Sequence, residues 1–187
     1  MKNTFLTLSL FSVLLGCNEQ KPTHKEIVTS YFNAFNSRNY SQIKALVSDS
    51  LTITEGDFIT TFDHDSYYEH FKWDSIFKPS YEILEIKEEN NQVLATIASK
   101  SVRYEFLKNN PLTCKRRTSF TSGKISKIEI LDCIDVDWTV WQKERDSLVA
   151  WTTSNHPELN GFINDLTMKG AQNYLKAMKL YGATKAQ

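Results

Sequence analysis

The sequence predicts an α+β domain: helices packed on an antiparallel sheet, followed by a helical extension. Three observations carry this. Apolar residues recur at helical spacing between residues 24 and 78. Four strand-like segments joined by short turns fill residues 80–134. Helical spacing then returns from residue 137 to the end.

The chain opens with a leader. Lys2 gives a short positive start, and Phe5 to Leu15 is an apolar run broken by Thr7, Ser9 and Ser12. It is shorter than the ~20 apolar residues of a membrane span and fits a signal-peptide core. The run ends at Leu14-Leu15-Gly16-Cys17, where polarity changes abruptly to Asn18-Glu19-Gln20-Lys21-Pro22. That tetrapeptide resembles a lipobox, in which the Cys is acylated and becomes the mature N-terminus. The expected organisation is a lipoprotein signal peptide with the lipidated Cys17 over 1–17 and a polar tether over 18–24. The main domain spans 25–136, and the helical extension spans 137–187. The expected location is a bacterial cell envelope, with the domain outside the cytoplasm and the N-terminal lipid in a membrane.

Composition excludes other classes. The 22 Lys and Arg balance 22 Asp and Glu, and loss of Lys2 with the leader leaves one acidic residue in excess. A nucleic-acid partner needs a net basic face, which this chain lacks. Cys and His are too few and too scattered for a zinc site, and no phosphate loop or nucleophile elbow occurs. No cofactor is expected. Asp63-His64-Asp65 reads as a helix cap, and Asp132, Asp135 and Asp137 lack the Gly and terminal Glu of a calcium loop.

Along the domain, Thr23 with Glu26 forms a capping box for a first helix carrying Ile27, Val28, Tyr31, Phe32, Ala34 and Phe35. Asn39 with Gln42 opens a second, short helix, and Leu51-Thr52-Ile53-Thr54 reads as a strand. Asp63 caps a third helix with Tyr67, Tyr68, Phe71, Trp73, Ile76 and Phe77, ended by Pro79. Strands are expected at about 80–88, 92–106, 112–121 and 124–134. Asn90-Asn91 and Ser122-Gly123 form the hairpin turns, and Asn109-Asn110-Pro111 forms the middle one. Short connections imply an antiparallel meander. Asp137 caps a helix through Trp138, Trp141, Leu148 and Trp151. A further helix is expected from His156-Pro157-Glu158 through Tyr181, ended by Gly182.

Two pairings follow from a two-residue Ser122-Gly123 turn. Arg116 faces Glu129, and Cys114 faces Leu131. Cys133 is then a diagonal neighbour of Cys114 at about 7–8 Å, beyond the ~6.8 Å Cα limit of a disulfide. Two reduced, buried thiols are expected. A four-residue turn would instead set Cys114 and Cys133 opposite each other.

The element order, with Tyr31-Phe32-Asn33-Ala34-Phe35-Asn36, Asn39-Tyr40, Ile43, Leu46, Val47, Asp49 and Leu51, resembles the NTF2-like (SnoaL-like) superfamily over about 25–134. The resemblance implies a strongly curved sheet wrapped around helices, a cone with an internal pocket. It also implies the option of a homodimer through the sheet. It fixes no chemistry, because this fold hosts enzymes, binding modules and assembly domains. In the family's ketosteroid isomerase branch, a first-helix Tyr donates to an oxyanion and a carboxylate at the end of the first strand is the base. Tyr31 and Glu55 match those positions. Arg116, on a mostly apolar strand face, is a candidate carboxylate ligand if not paired with Glu129. Tyr67, Phe71, Trp73 and Tyr104 are further candidate lining residues, and His70 is a candidate for the pocket rim. The leading expectation is an envelope-anchored domain that binds a small molecule or a protein without catalysis. The alternatives are an isomerase-, dehydratase- or hydrolase-type enzyme using Tyr31 and Glu55, and an oligomerisation module.

If Cys17 is the anchor, Cys17→Ala should move the protein from the detergent phase to the aqueous phase on phase separation. Unchanged partitioning would remove the lipid assignment.

Overall fold

The computed structural model describes residues 21–185; Cys17 and the leader lie outside them. The elements run α1 (His24–Asn36), α2 (Tyr40–Leu46), β1 (Val47–Glu55), β2 (Phe58–Phe62), α3 (His64–Ser75), β3 (Ser80–Glu89), β4 (Gln92–Lys100), α4 (Val102–Phe106), β5 (Leu112–Thr121), β6 (Lys124–Ile134), α5 (Trp138–Asn155), a 3₁₀ turn (Pro157–Leu159) and α6 (Met168–Lys185).

Local chemistry sets the helix starts. Thr23 Oγ1 accepts from the Glu26 N–H while the Glu26 carboxylate accepts from the Thr23 N–H, closing the expected box. Asn39 caps α2 by accepting from the Gln42 N–H, but its own N–H is already committed to the Ala34 carbonyl, so no reciprocal box forms. Asp63 and Ser66 make a full box at α3.

Six strands form one sheet in the order β2-β1-β6-β5-β4-β3. The sheet is mixed, not purely antiparallel, because β1 runs parallel to β6. β2 was not expected. It folds back on β1 through a two-residue Gly56-Asp57 turn in which Gly56 has φ 56°, and its position at the sheet edge leaves it almost wholly exposed. The expected long strand over 92–106 stops at Lys100. Ser101 Oγ accepts from the Tyr104 N–H and turns the chain into α4, because an N-cap overrides the alternating pattern beyond it. The final helix also differs from expectation. A 3₁₀ turn and a loop occupy 157–167, with Gly161 at φ 84°, and α6 runs on through Gly182. Thr167 caps α6, and Gly170 is obligatory there, since a Cβ would lie 2.0 Å from the Asp165 carbonyl oxygen.

Two apolar clusters form. The first joins α1, α2, α3 and the sheet through Val28, Phe32, Ile43, Leu51, Tyr67 and Ile97. The second joins α3 to the extension through Trp73, Phe77, Leu148, Phe162, Tyr174 and Met178. No helix among the described residues is long and apolar enough to cross a membrane.

The β5–β6 register departs from expectation. The Ser122-Gly123 turn does have two residues, with Thr121 opposite Lys124. Ser126 is then an extra residue in β6, lying between the partners of Ser119 and Phe120. A second extra residue falls between Ile130 and Cys133. Each bulge moves the pairing by one. Arg116 therefore faces Ile130, and Glu129 faces Arg117 instead. Cys114 faces Cys133 directly, and the two form a disulfide. The expected thiols and the expected Arg116–Glu129 pair are both corrected by the same cause, bulges that the turn sequence does not encode.

The disulfide closes a loop with a sequence separation of 19 residues. Replacing both cysteines with serine should lower stability by roughly 3 kcal/mol, measured by urea unfolding. Non-reducing peptide mapping should show one linked peptide pair; free Cys114 and Cys133 would contradict the register.

Candidate functional site

The concave side of the sheet and the helices across it enclose a cavity of about 230 Å³. Each wall has a local origin. α1 sends in Tyr31 and Phe35, β1 Ile53, α3 Tyr67, His70, Trp73 and Asp74, and β3 Tyr81. α4 supplies Arg103 and Tyr104, β5 Arg116, and β6 Ile128 and Ile130. The loop before α6 adds Leu166, so the extension also borders the cavity.

The inner wall is phenolic. The Tyr31 and Tyr67 hydroxyls are hydrogen-bonded to each other. Burial pushes Tyr31 up to about 12, against the Tyr67 hydrogen bond, and burial likewise raises Tyr67 well above its ordinary range. Both therefore stay protonated, and whichever hydroxyl accepts keeps its own proton to donate elsewhere. The Tyr81 hydroxyl donates to Asp74 Oδ2 at 2.9 Å.

Two guanidiniums border the same space. Arg116 donates from Nη2 to Ser99 Oγ at 3.1 Å and lies over the Phe32 and Tyr81 rings, 5.5 and 5.7 Å from their centroids. Arg103 lies over Trp73, Tyr104 and Phe77 at 5.0, 5.1 and 5.5 Å. Among the described residues neither has a carboxylate within 4.0 Å, and the buried Nε of each has no acceptor. Aromatic faces stabilise such cations in part, more so when water is excluded. Glu129, the expected partner of Arg116, instead binds Lys127 at 2.8 Å and Arg117 at 3.7 Å on the other face of the sheet.

Of the residues expected from sequence, Tyr31, Glu55, Tyr67, Trp73, Tyr104 and Arg116 all border this cavity. Phe71 does not; it is buried against Phe35 and Tyr40. Glu55 is exposed at the mouth, at the end of β1. Arg103, Asp74 and Tyr81 were not anticipated. Arg103 was hidden because its segment alternates like a strand, and only Ser101 as an N-cap hinted at the helix. No group of three or more metal-ligating side chains occurs among the described residues.

His70 sits between Phe62 and Trp73, stacked on the indole. Burial holds its imidazole below the usual range; Asp74 opposes this and Arg103 adds to it.

No protein-family model and no curated protein matches the chain. Solved structures do. An NTF2-like protein of unknown function from Cytophaga hutchinsonii is 14% identical, with a TM-score of 0.50 over 60% of this chain and 92% of that one. A protein from Kribbella flavida is 12% identical, with a TM-score of 0.51 over 66% and 93%. An uncharacterised cystatin-fold protein from Novosphingobium aromaticivorans is 11% identical, with a TM-score of 0.51 over 59% and 99%. At these identities the likeness is one of fold: this chain has the curved, open sheet and packed helices of the NTF2-like cone.

The depressed His70 gives a pH signature with a defined sign. The folded state binds the proton less readily than the unfolded chain, so the stabilising effect is complete above the ordinary value of 6.5. It is lost as pH falls from there through the folded value. His70→Gln should therefore show a smaller fall in Tm between about pH 7.5 and pH 5 than the wild type. Parallel Tm profiles would mean that His70 titrates normally.

Proposed function

We propose that this NTF2-like cone is a binding domain that holds a small, partly apolar molecule in its cavity without transforming it, anchored to a membrane through a lipid on Cys17. The observation that carries the binding reading is the cavity itself, with apolar walls from Ile53, Phe62, Ile128 and Leu166 and a few converging polar groups. Its volume of about 230 Å³ lies below the roughly 300–1,000 Å³ of drug-sized sites, which favours a ligand no larger than one ring with a short chain. The leader motif supports the anchor, and the Cys114–Cys133 disulfide suits an oxidising compartment.

A second reading uses the same cavity for proton abstraction, with Glu55 as base and Tyr31 as donor. It is favoured by both residues bordering one space. Against it, Glu55 is exposed to water, and the Tyr31 hydroxyl is engaged by Tyr67.

Titration calorimetry with phenylacetamide, a neutral single-ring probe, tests the binding reading. The purified full-length protein should bind it, and Ile130→Trp, which fills the cavity, should abolish binding while the protein stays folded by circular dichroism. Equal binding by the filled variant would place the ligand elsewhere. Turnover of an enolisable ketone that Glu55→Gln abolishes would favour the enzyme reading.

A further inference from the structure

We infer that the ligand of this cavity is a small monocarboxylate with an apolar body, its charge recognised by Arg103 and Arg116. The inference rests on the binding reading above and adds the chemical class of the ligand.

The argument starts from charge. A buried guanidinium is costly unless its charge and its N–H donors are matched. Arg103 and Arg116 come from α4 and β5 and border one cavity. Each is held in place by aromatic faces, Arg103 by Trp73, Phe77 and Tyr104 and Arg116 by Phe32 and Tyr81. Ring faces match charge but accept no in-plane hydrogen bond. Both buried Nε–H groups lack an acceptor among the described residues. Among the described residues, hydroxyls are the only other groups that meet the forks: Ser99 Oγ at Arg116 and, at 3.5 Å, the Tyr104 hydroxyl at Arg103.

Charge balance then sets the valence. Within the cavity stand two guanidiniums and one carboxylate, Asp74, which already accepts the Tyr81 hydroxyl. Glu55 lies at the exposed mouth, where water screens it. The interior is left with one positive charge, which a single anionic group neutralises. A carboxylate is the planar two-oxygen acceptor that fits a guanidinium fork, and a lysine would not supply that geometry. The accepting member of the Tyr31–Tyr67 pair has a further proton to give such an oxygen.

The test compares three probes of one body by titration calorimetry on the full-length protein: phenylacetate, phenylacetamide and phenethylammonium. Phenylacetate should bind roughly 10- to 100-fold tighter than the amide, as charge-assisted hydrogen bonds imply, and the ammonium weakest of all. Arg116→Met and Arg103→Met should each shrink the ratio of phenylacetate to phenylacetamide affinity by roughly 10-fold. The wild-type comparison stands even if a variant fails to fold. Amide binding with no gain for phenylacetate, or an ammonium that binds best, would overturn the carboxylate while leaving the binding reading intact. If none of the three binds, both fall together.

Discussion

The two bulges in β6 decide which side chains meet the cavity. In a strand, successive side chains alternate faces, so one inserted residue sends everything after it to the opposite side. Without Ser126 as the extra residue, Glu129 would stand opposite Arg116 and point inward with it. With it, Ile128 and Ile130 turn inward and Glu129 turns out to Lys127 and Arg117. The second insertion restores the inward parity needed by Cys133, which reaches Cys114 across the ladder. The cationic character of the interior and the covalent cross-link therefore share an origin in two residues of backbone irregularity. Ser126 is held in its place by donating from Oγ to the Ser119 carbonyl at 3.3 Å.

Much of the fold was legible in the sequence because its signals are local. Thr23 with Glu26, Asn39 and Asp63 mark helix starts by hydrogen bonds that span three residues. Asn90-Asn91 and Ser122-Gly123 mark hairpins by their tolerance of positive φ, and both pairs adopt it. What was not legible is non-local. The parallel pairing of β1 with β6 joins segments far apart in the chain, and no local pattern announces it. β2 is almost wholly exposed at the sheet edge, with only Phe62 half-buried, and hence shows no buried periodicity. The segment after Lys100 alternates as a strand would, yet a single serine hydroxyl redirects it. Arg103 was lost with that misreading, and Arg116 was found for a reason that survived while its assigned partner did not.

The contrast between Tyr31 and Glu55 shows how far positional resemblance reaches. Both residues were expected as a pair from the resemblance alone, and both border the cavity. Their environments differ, however, and environment sets reactivity. The tyrosine is buried, with a pKa pushed up to about 12 and a phenolic partner. The glutamate is open to water.

α3 touches everything that matters here. Tyr67 and Phe71 belong to the first apolar cluster and Trp73 to the second, with Phe77 just past its end, while His70 and Asp74 look into the cavity. The Trp73 indole additionally donates to the Asp165 carbonyl of the loop before α6, at 3.2 Å. A helix with one buried stripe can rock about its axis at little cost, because its far side slides through water. α3 keeps one exposed stripe, Asp65, Tyr68 and Glu69, but its other sides are packed against both clusters. Rotation in either sense would unpack one cluster to relieve the other, so its rotational freedom is removed from two directions at once. The angular placement of the imidazole and carboxylate it presents is thus set by packing several residues away, in a helical extension that the minimal cone would not need.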